Sequence, residues 1–409
     1  MPGENKTLFL FTAGYPYGTR DEPFLENEIK YLSEAFEEVV IFPVSKPTKE
    51  YRRIPSNVVI DDTLINVDTS KKKLTIISHI LFVLKVVTPA SLKLIKVVRF
   101  WKNARSIMDI LSTSIIRGKS LEKRLKNTDL SNVIFYDYWF INSIFSIGYL
   151  KTKRSIHKFV CRAHRYDIYD NNWSTINVPF FEYRVKTVDE LYLISKDGYN
   201  YIRNRTPDKF IQNLKLSYLG VSKPNINQKK IEDKDKYVIV SCARVVDFKR
   251  IHKIPLVLKY LELPVKWIHF GDGPLFEELK KDLKKLPENI EVELKGHVSN
   301  YDILDFYKKT SVNVLLSISL SEGLPVSMME AIGHGIPVVA VNAGGISEIV
   351  GPKSGVLIPK SASYKEIAGY LNDCLKESLL TQKEIIDYFD VHFNAENNYT
   401  NFIQSIKAN

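Results

Sequence analysis

Cysteine is scarce in this chain: Cys161, Cys242 and Cys374 are the only three in 409 residues, and none forms a CxxC pair. An odd number of scattered thiols excludes a disulfide scaffold and a cysteine-rich zinc site, and it suits a reducing compartment. Long apolar runs are missing as well. The greasiest stretch, Leu74 to Val98, is interrupted by His79, Lys85, Lys93 and Lys96, whereas a membrane span needs about 18 consecutive apolar residues. No transmembrane helix is expected. The first twenty residues hold one short apolar run, Thr7 to Ala13, followed by a Gly/Tyr/Pro turn rather than a small-residue cleavage site. A signal peptide is therefore not expected, and a cytoplasmic location is. The Asp-x-Asp spacing of Asp233 and Asp235 falls in a polar charge run rather than at a strand end, so no metal is expected as a cofactor. Low-complexity tracts and internal repeats are also lacking. What remains is ordinary globular material, 44% hydrophobic and 26% charged, long enough for two or three domains with real cores.

The net charge of +11 is concentrated in one place. Residues 71–126 carry fourteen Lys and Arg against Asp109 and Glu122 alone, so the rest of the chain is close to neutral. The same segment is apolar with helical spacing, through Leu94, Val97, Val98, Trp101, Ile107 and Ile110. A basic amphipathic element of this kind points to an anionic membrane surface as a partner of residues 71–126, with Phe100 or Trp101 inserting. Ordinary surface helices share the pattern, and the competing reading packs the apolar face onto a sheet. Confinement of charge to one greasy helical segment argues against a nucleic-acid partner.

Thr7–Thr12 reads as a strand, followed by the Gly14–Gly18 turn, a helix with Pro23 near its first turn and Leu25, Ile29, Leu32 and Phe36 on one face, and a strand over Glu38–Phe42. That is a βαβ unit, which implies a parallel sheet flanked by helices. Val133–Tyr136, His157–Cys161, Glu190–Ile194 and Lys215–Tyr218 extend the sheet. The stretch 222–236 is polar and aperiodic, the best linker in the chain. A second series of strands then follows at Tyr237–Cys242, Val265–Phe270, Ile290–Leu294, Val312–Ser317, Ile336–Val341 and Val356–Ile358. The expected organisation is an N-terminal Rossmann-like domain at 1–221, a linker at 222–236, a second Rossmann-like domain at 237–393, and a C-terminal helix at 394–409 that crosses back to the first domain. The fold class is α/β, two doubly wound domains facing each other across a cleft, where open sheets of this kind bind ligands.

The densest constellation is Ser321-Glu322-Gly323-Leu324-Pro325-Val326-Ser327-Met328-Met329-Glu330-Ala331. It combines a loop carboxylate, a glycine, a proline that opens a helix, and a second carboxylate eight residues after the first. Amides at a helix N-terminus bind phosphate or hydroxyl oxygens, and carboxylates accept hydrogen bonds from sugar hydroxyls. Arg244 and Lys249 lie five apart in the loop leaving a strand, where both could reach one diphosphate and stabilise its developing charge. His164 follows an apolar run and so sits at a strand's carboxyl end. The Gly14–Gly18 turn could bring backbone close to a phosphate. Gly271 and Gly273 read mainly as a tight turn, and Glu348 follows the Gly344-Gly345 pair closely enough to reach the same cleft.

These residues closely resemble the retaining nucleotide-sugar glycosyltransferases of the large family four, which have the GT-B fold. The E-x7-E pair Glu322/Glu330 and the following Gly335-Ile336-Pro337-Val338-Val339-Ala340 and Gly344-Gly345 carry the resemblance. Ala243–Arg250, Gly271-Asp272-Gly273-Pro274 and Gly296-His297-Val298 extend it, as do Tyr136–Trp139, Arg162-Ala163-His164 and Leu219-Gly220-Val221 in the N-terminal half. Tyr17-Gly18, Glu22 and Tyr138-Trp139 resemble features of bacterial polysaccharide-assembly transferases. The resemblance implies a sugar transferred with retention from a nucleotide-diphosphate donor to a glycan or lipid-linked acceptor, at the inner face of the cytoplasmic membrane. It places Glu322 on donor-sugar hydroxyls, Glu330 on the ribose, Arg244 and Lys249 on the diphosphate, and His164 near the reacting sugar. Gly18, Gly296, Val298, Gly323 and Leu324 would line the donor. The sequence has Leu324-Pro325 two residues earlier than the frequent Glu-Gly-Phe-Gly-Leu-Pro form. A GT-B nucleotide-sugar epimerase and a catalytically silent sugar-nucleotide-binding protein at the membrane are the alternatives.

Overall fold

The computed structural model describes residues 7–18, 22, 25–46, 48–68, 70, 72–87, 97–141, 143–169, 180–225, 231–233, 235–377 and 380–408. Pro23 and, within the 222–236 stretch, residues 226–230 and 234 lie outside them. The chain forms two compact units, Met1–Ser217 together with Tyr399–Asn409, and Tyr218–Asn398.

The first unit is built on a seven-stranded parallel sheet of β1 (Thr7–Thr12), β2 (Glu38–Pro43), β3 (Val58–Ile60), β4 (Val133–Asp137), β5 (Lys158–Ala163), β6 (Glu190–Leu193) and β7 (Leu214–Leu216), in the order β3-β2-β1-β4-β5-β6-β7. Parallel strands are covered on both faces and therefore read as continuous apolar runs. Alternate residues of β1 show why: Phe9 and Phe11 point into one core with Phe42 and Phe135, and Leu8 and Leu10 into the other with Val39, Ile41 and Ile134. The second face is closed by Phe402, Ile403 and Ile406 of the helix Ala395–Lys407. The long helix Val97–Arg124 buries Ile107, Leu111, Ile115 and Leu121 in the first core. Its Arg117 is turned inward, donating to the carbonyls of Leu64 (3.2 Å) and Val44 (2.8 Å). The apolar stripe of this helix thus packs against the unit's core. The side chains of Phe100 and Trp101 lie outside the described residues.

The second unit holds a six-stranded parallel sheet of β8 (Tyr237–Cys242), β9 (Val265–Phe270), β10 (Ile290–Gly296), β11 (Val314–Ser317), β12 (Val338–Val341) and β13 (Gly355–Ile358), in the order β10-β9-β8-β11-β12-β13. In both sheets the order reverses once, between β1 and β4 and between β8 and β11. At such a switch point the loops at the carboxyl ends diverge and leave a crevice for a ligand.

β3 does not appear in the sequence reading. It is a three-residue edge strand, registered Val39↔Val58 to Ile41↔Ile60, with Val59 exposed, too short for an alternation pattern to register. The unit boundary falls at Ser217, where the Ser217 amide still bonds Leu193 of β6 (2.9 Å). Val221, by contrast, pairs with Asn394 inside the second unit. Ile231, in the expected linker, also hydrogen-bonds to that unit at Lys309 and Ser311.

Candidate functional site

In the second unit the loop leaving β8 lies on the glycine turn after β9. The Ala243 amide donates to Phe270 O (3.1 Å), Val245 to Asp272 O (2.8 Å), and Leu275 to Val245 O (3.1 Å). Gly271 has φ +140, and a Cβ there would stand 1.9 Å from the Ala243 carbonyl oxygen. A Cβ on Gly273 would meet Val245 O at 2.5 Å. These glycines do more than turn the chain, because they allow two backbones to touch and so set the height of the 243–250 loop. The Leu320 amide, just after β11, donates to Phe248 O (2.8 Å) and ties the two switch-point loops together.

Across that contact Lys249 Nζ donates to both carboxylate oxygens of Glu322, at 2.5 and 2.6 Å. Glu322 is buried and Lys249 about one-fifth exposed, so the pair's attraction is only partly screened. Arg244, on the same loop, is exposed and forms no ion pair among the described residues. The Glu322 backbone is held from the other side: Gly345 N donates to its carbonyl (3.4 Å), and Gly344, with φ +62, approaches so closely that a Cβ would lie 2.1 Å from that oxygen. The helix Val326–Gly333 begins directly after Pro325. Met328 N donates to the Pro325 carbonyl (3.1 Å), which leaves the Val326 and Ser327 amides without an intrahelical partner, and Gly323 and Leu324 lead into them.

Glu330 lies in the second turn of that helix, buried, with Oε1 accepting from Asn300 Nδ2 at 2.7 Å. Burial pushes its carboxyl up to about 7, against the pull of the Asn300 bond. The Cys242 thiol at the end of β8 is also pushed up, to about 12, by burial and by Glu330. Asn300 opens the helix Asn300–Lys309 immediately after the Gly296-His297-Val298 loop, with Ser299 as its cap. The sequence reading does not single it out, because an Asn at a helix start passes for an ordinary capping residue. Gly296 has φ +64 and open space where a side chain would be, His297 is exposed, and Val298 is partly buried. Glu348 accepts from Tyr218 Oη (2.8 Å), and its carbonyl accepts from Tyr388 Oη.

The first unit's switch point is organised by Glu22. This residue has φ +52 and is buried, and its carboxylate accepts from the amides of Ala13 (2.8 Å), Gly14 (2.7 Å) and Tyr15 (2.6 Å) and from Trp139 Nε1 (2.5 Å). The amides of the glycine turn are thus occupied by a carboxylate of the chain itself. Gly18, with φ +76, donates its N–H to Glu50 O (3.1 Å), so what it offers a ligand is close approach rather than a donor. His164 sits at the end of β5, buried between the rings of Tyr138 and Trp139 at centroid distances of 4.7 and 4.6 Å. Burial and the charge of Arg162 depress its pKa to about 3, so it is neutral at physiological pH and presents an uncharged imidazole. Asp167 fixes the surrounding loops through the amides of His164 (2.6 Å) and Phe140 (2.7 Å), and burial raises its pKa to about 7. Among the described residues no three His, Cys, Asp or Glu side chains converge to hold a metal ion.

Residues 222–389 match the family model described as glycosyl transferases group 1. TuaC of Bacillus subtilis (strain 168), whose name assigns it to teichuronic acid biosynthesis as a glycosyltransferase, is 30% identical over 134 residues, 31% of each chain. The chain spans about a third of the length of the curated relatives it matches first. Two solved structures align over nearly the whole chain. The lipopolysaccharide outer core galactosyltransferase WaaB has TM-score 0.68 and 16% identity, over 98% of this chain and 99% of its own. Anabaena HepE in complex with UDP has TM-score 0.65 and 15% identity, with the same coverage. Residues 222–389 are therefore similar to the glycosyl transferases group 1 family, within a chain that has the GT-B fold of two Rossmann-like domains.

Proposed function

We propose that the protein is a glycosyltransferase that moves a hexose-type sugar from a nucleoside-diphosphate donor to a glycan or lipid-linked acceptor, with retention of anomeric configuration, in bacterial surface polysaccharide assembly. The observation that carries this reading is the Lys249–Glu322 pair seated at the β8/β11 switch point beside a helix start and the buried Glu330. In the reaction the bond from the anomeric carbon to the diphosphate oxygen breaks, its electron pair leaving with the diphosphate. The acceptor hydroxyl forms the new bond on the same face, and its proton passes to the departing phosphate. Lys249 and Arg244 stabilise the charge that gathers on the leaving group. Glu322 takes donor-sugar hydroxyls when Lys249 turns to phosphate, and Glu330, with Asn300 behind it, takes the ribose hydroxyls. Gly323 and Leu324 supply backbone, and Gly296 and Val298 leave room for the base; by the resemblance, neutral His164 is assigned to the reacting sugar and Gly18 to the donor. No metal enters this scheme, and the enzyme works at the inner face of the cytoplasmic membrane.

The test is a panel of UDP- and GDP-sugars with the purified protein in EDTA, read by released nucleotide and by NMR of the product. A new glycosidic bond with the donor's anomeric configuration supports the proposal. Inversion, an epimerised nucleotide sugar without a new bond, or an absolute metal requirement would each refute part of it.

A further inference from the structure

The two short helices Lys72–Ser78 and Ile80–Val86 carry apolar residues on both faces. Their inner face is accounted for: Ile76, Phe82, Val83 and Val86 are buried in the first unit's core, with Phe82 against Tyr149 at 5.4 Å between ring centroids. Helical geometry puts the remaining positions on the opposite side, where a surface helix normally places polar residues. Here that side holds Leu74, Ile77, Ile80, Leu81 and Leu84, with Leu81 at 81%, Ile77 at 71% and Leu74 at 65% exposure. These are adjacent positions of one helical pair, so they form a contiguous apolar patch rather than scattered surface residues, and contiguous patches mark interaction sites.

The surroundings of the patch are basic. Lys85 is exposed on the second of the two helices. Lys153 rides over the ring of Tyr149 at 6.0 Å, the ring against which Phe82 and His79 pack. Lys72 reaches Asp109 on the long helix (3.4 Å), and exposed Met108 and Arg105 flank that contact. The segment 71–126 brings only two acidic residues against fourteen basic ones, and one of the two, Asp109, is taken up by Lys72.

We infer that the Lys72–Val86 helical pair is a membrane-insertion element for an anionic lipid surface, with Leu74, Ile77, Leu81 and Leu84 entering the acyl boundary and the surrounding Lys and Arg holding the headgroups. Protruding aliphatic side chains with exposed Lys85 on the same helical pair, in a segment of strongly basic balance, are complementary to such a surface, which offers apolar depth beneath negative charge. A protein partner would also have to supply a negative rim, and a second copy of this chain would bring the same positive charges face to face. The inference gives residues to the membrane association in the proposed function and depends on that reading only for its purpose.

Flotation on vesicles separates the possibilities without any donor or acceptor. Full-length protein should float with vesicles containing about 30% phosphatidylglycerol at low salt, at least about tenfold more than with pure phosphatidylcholine, and most of that difference should vanish at about 0.5 M salt. The double variant Leu81→Asp/Leu84→Asp should lose flotation by about tenfold or more, and Lys85→Glu/Arg105→Glu should weaken it severalfold and flatten its salt dependence. Both pairs are surface-exposed, so their thermal unfolding should match wild type. No flotation of the wild type, equal flotation on neutral vesicles, or a stable wild-type dimer that Leu81→Asp/Leu84→Asp dissociates would overturn the inference. None of these results would touch the transferase reading, which the donor panel tests separately.

Discussion

At the residue scale the carboxylates separate into two kinds. Glu22 is a structural anion saturated by four N–H donors; Glu330 is buried with a single amide donor on Oε1 and a pKa raised to about 7. If ribose hydroxyls bind the ionised form, nucleotide affinity follows the ionised fraction and should rise about tenfold between pH 6 and pH 8. Calorimetric titration with UDP or GDP across that range checks this, and Glu330→Gln should bind more weakly at pH 8 and lose the pH dependence. Stability runs the other way. Because Glu330 and Asp167 hold protons more tightly folded than unfolded, their contribution is most favourable at pH values below the ordinary carboxyl range and declines as pH rises through about 7. The melting temperature of the ligand-free protein should therefore fall from about pH 5 to pH 8, and Glu330→Gln should remove part of that slope. Lys249→Ala leaves Glu322 buried without its cation as well as removing a leaving-group partner. Transfer should drop about 100-fold or more while nucleotide binding changes less, and a wild-type rate would end the leaving-group role.

At the element scale the decisive features are close approaches of backbone. The loop from β8 keeps its position only because Gly271 and Gly273 let it touch the turn after β9. Gly271→Ala combines a φ of +140 with a Cβ placed 1.9 Å from a carbonyl oxygen, so it should cost about 2–4 kcal/mol. Urea unfolding should register that loss, together with weaker nucleotide binding because Lys249 rides on the displaced loop. Such contacts also mark what can be read from the chain alone. The βαβ order, the strand positions other than β3, and the E-x7-E carboxylates are local patterns, legible from neighbouring stretches of the chain, and stand in the sequence. The role of Gly271 against Ala243, the bond from Asn300 to Glu330, and the link from Glu22 to Trp139 join residues 28, 30 and 117 positions apart. Nothing at one position announces the other, so in the sequence Gly271 and Gly273 read mainly as a turn.

At the scale of the whole molecule, the first unit is discontinuous in sequence. Inside it Arg162 and Glu28 form a fully buried pair at 3.2 Å, joined by Tyr136 Oη, with the Arg162 guanidinium stacked 4.2 Å from the ring of Phe402. Phe402 also meets Tyr136 and Tyr192 at 5.2 and 4.9 Å. Phe402→Ala should cost about 3–5 kcal/mol through the cavity it leaves. Deleting residues 399–409 should destabilise the first unit selectively, which limited proteolysis would show as early cuts before residue 217 and a surviving fragment of 218–398. The same arrangement bears on how the chain is made. Domains usually fold in order as they leave the ribosome, but this first unit must wait, with the part of one sheet face beside Leu25, Ile29 and Leu32 uncovered, until Phe402, Ile403 and Ile406 have been synthesised. The later, continuous unit can complete itself first, so the earlier-made of the two units is the last to be finished and the one most in need of protection during translation.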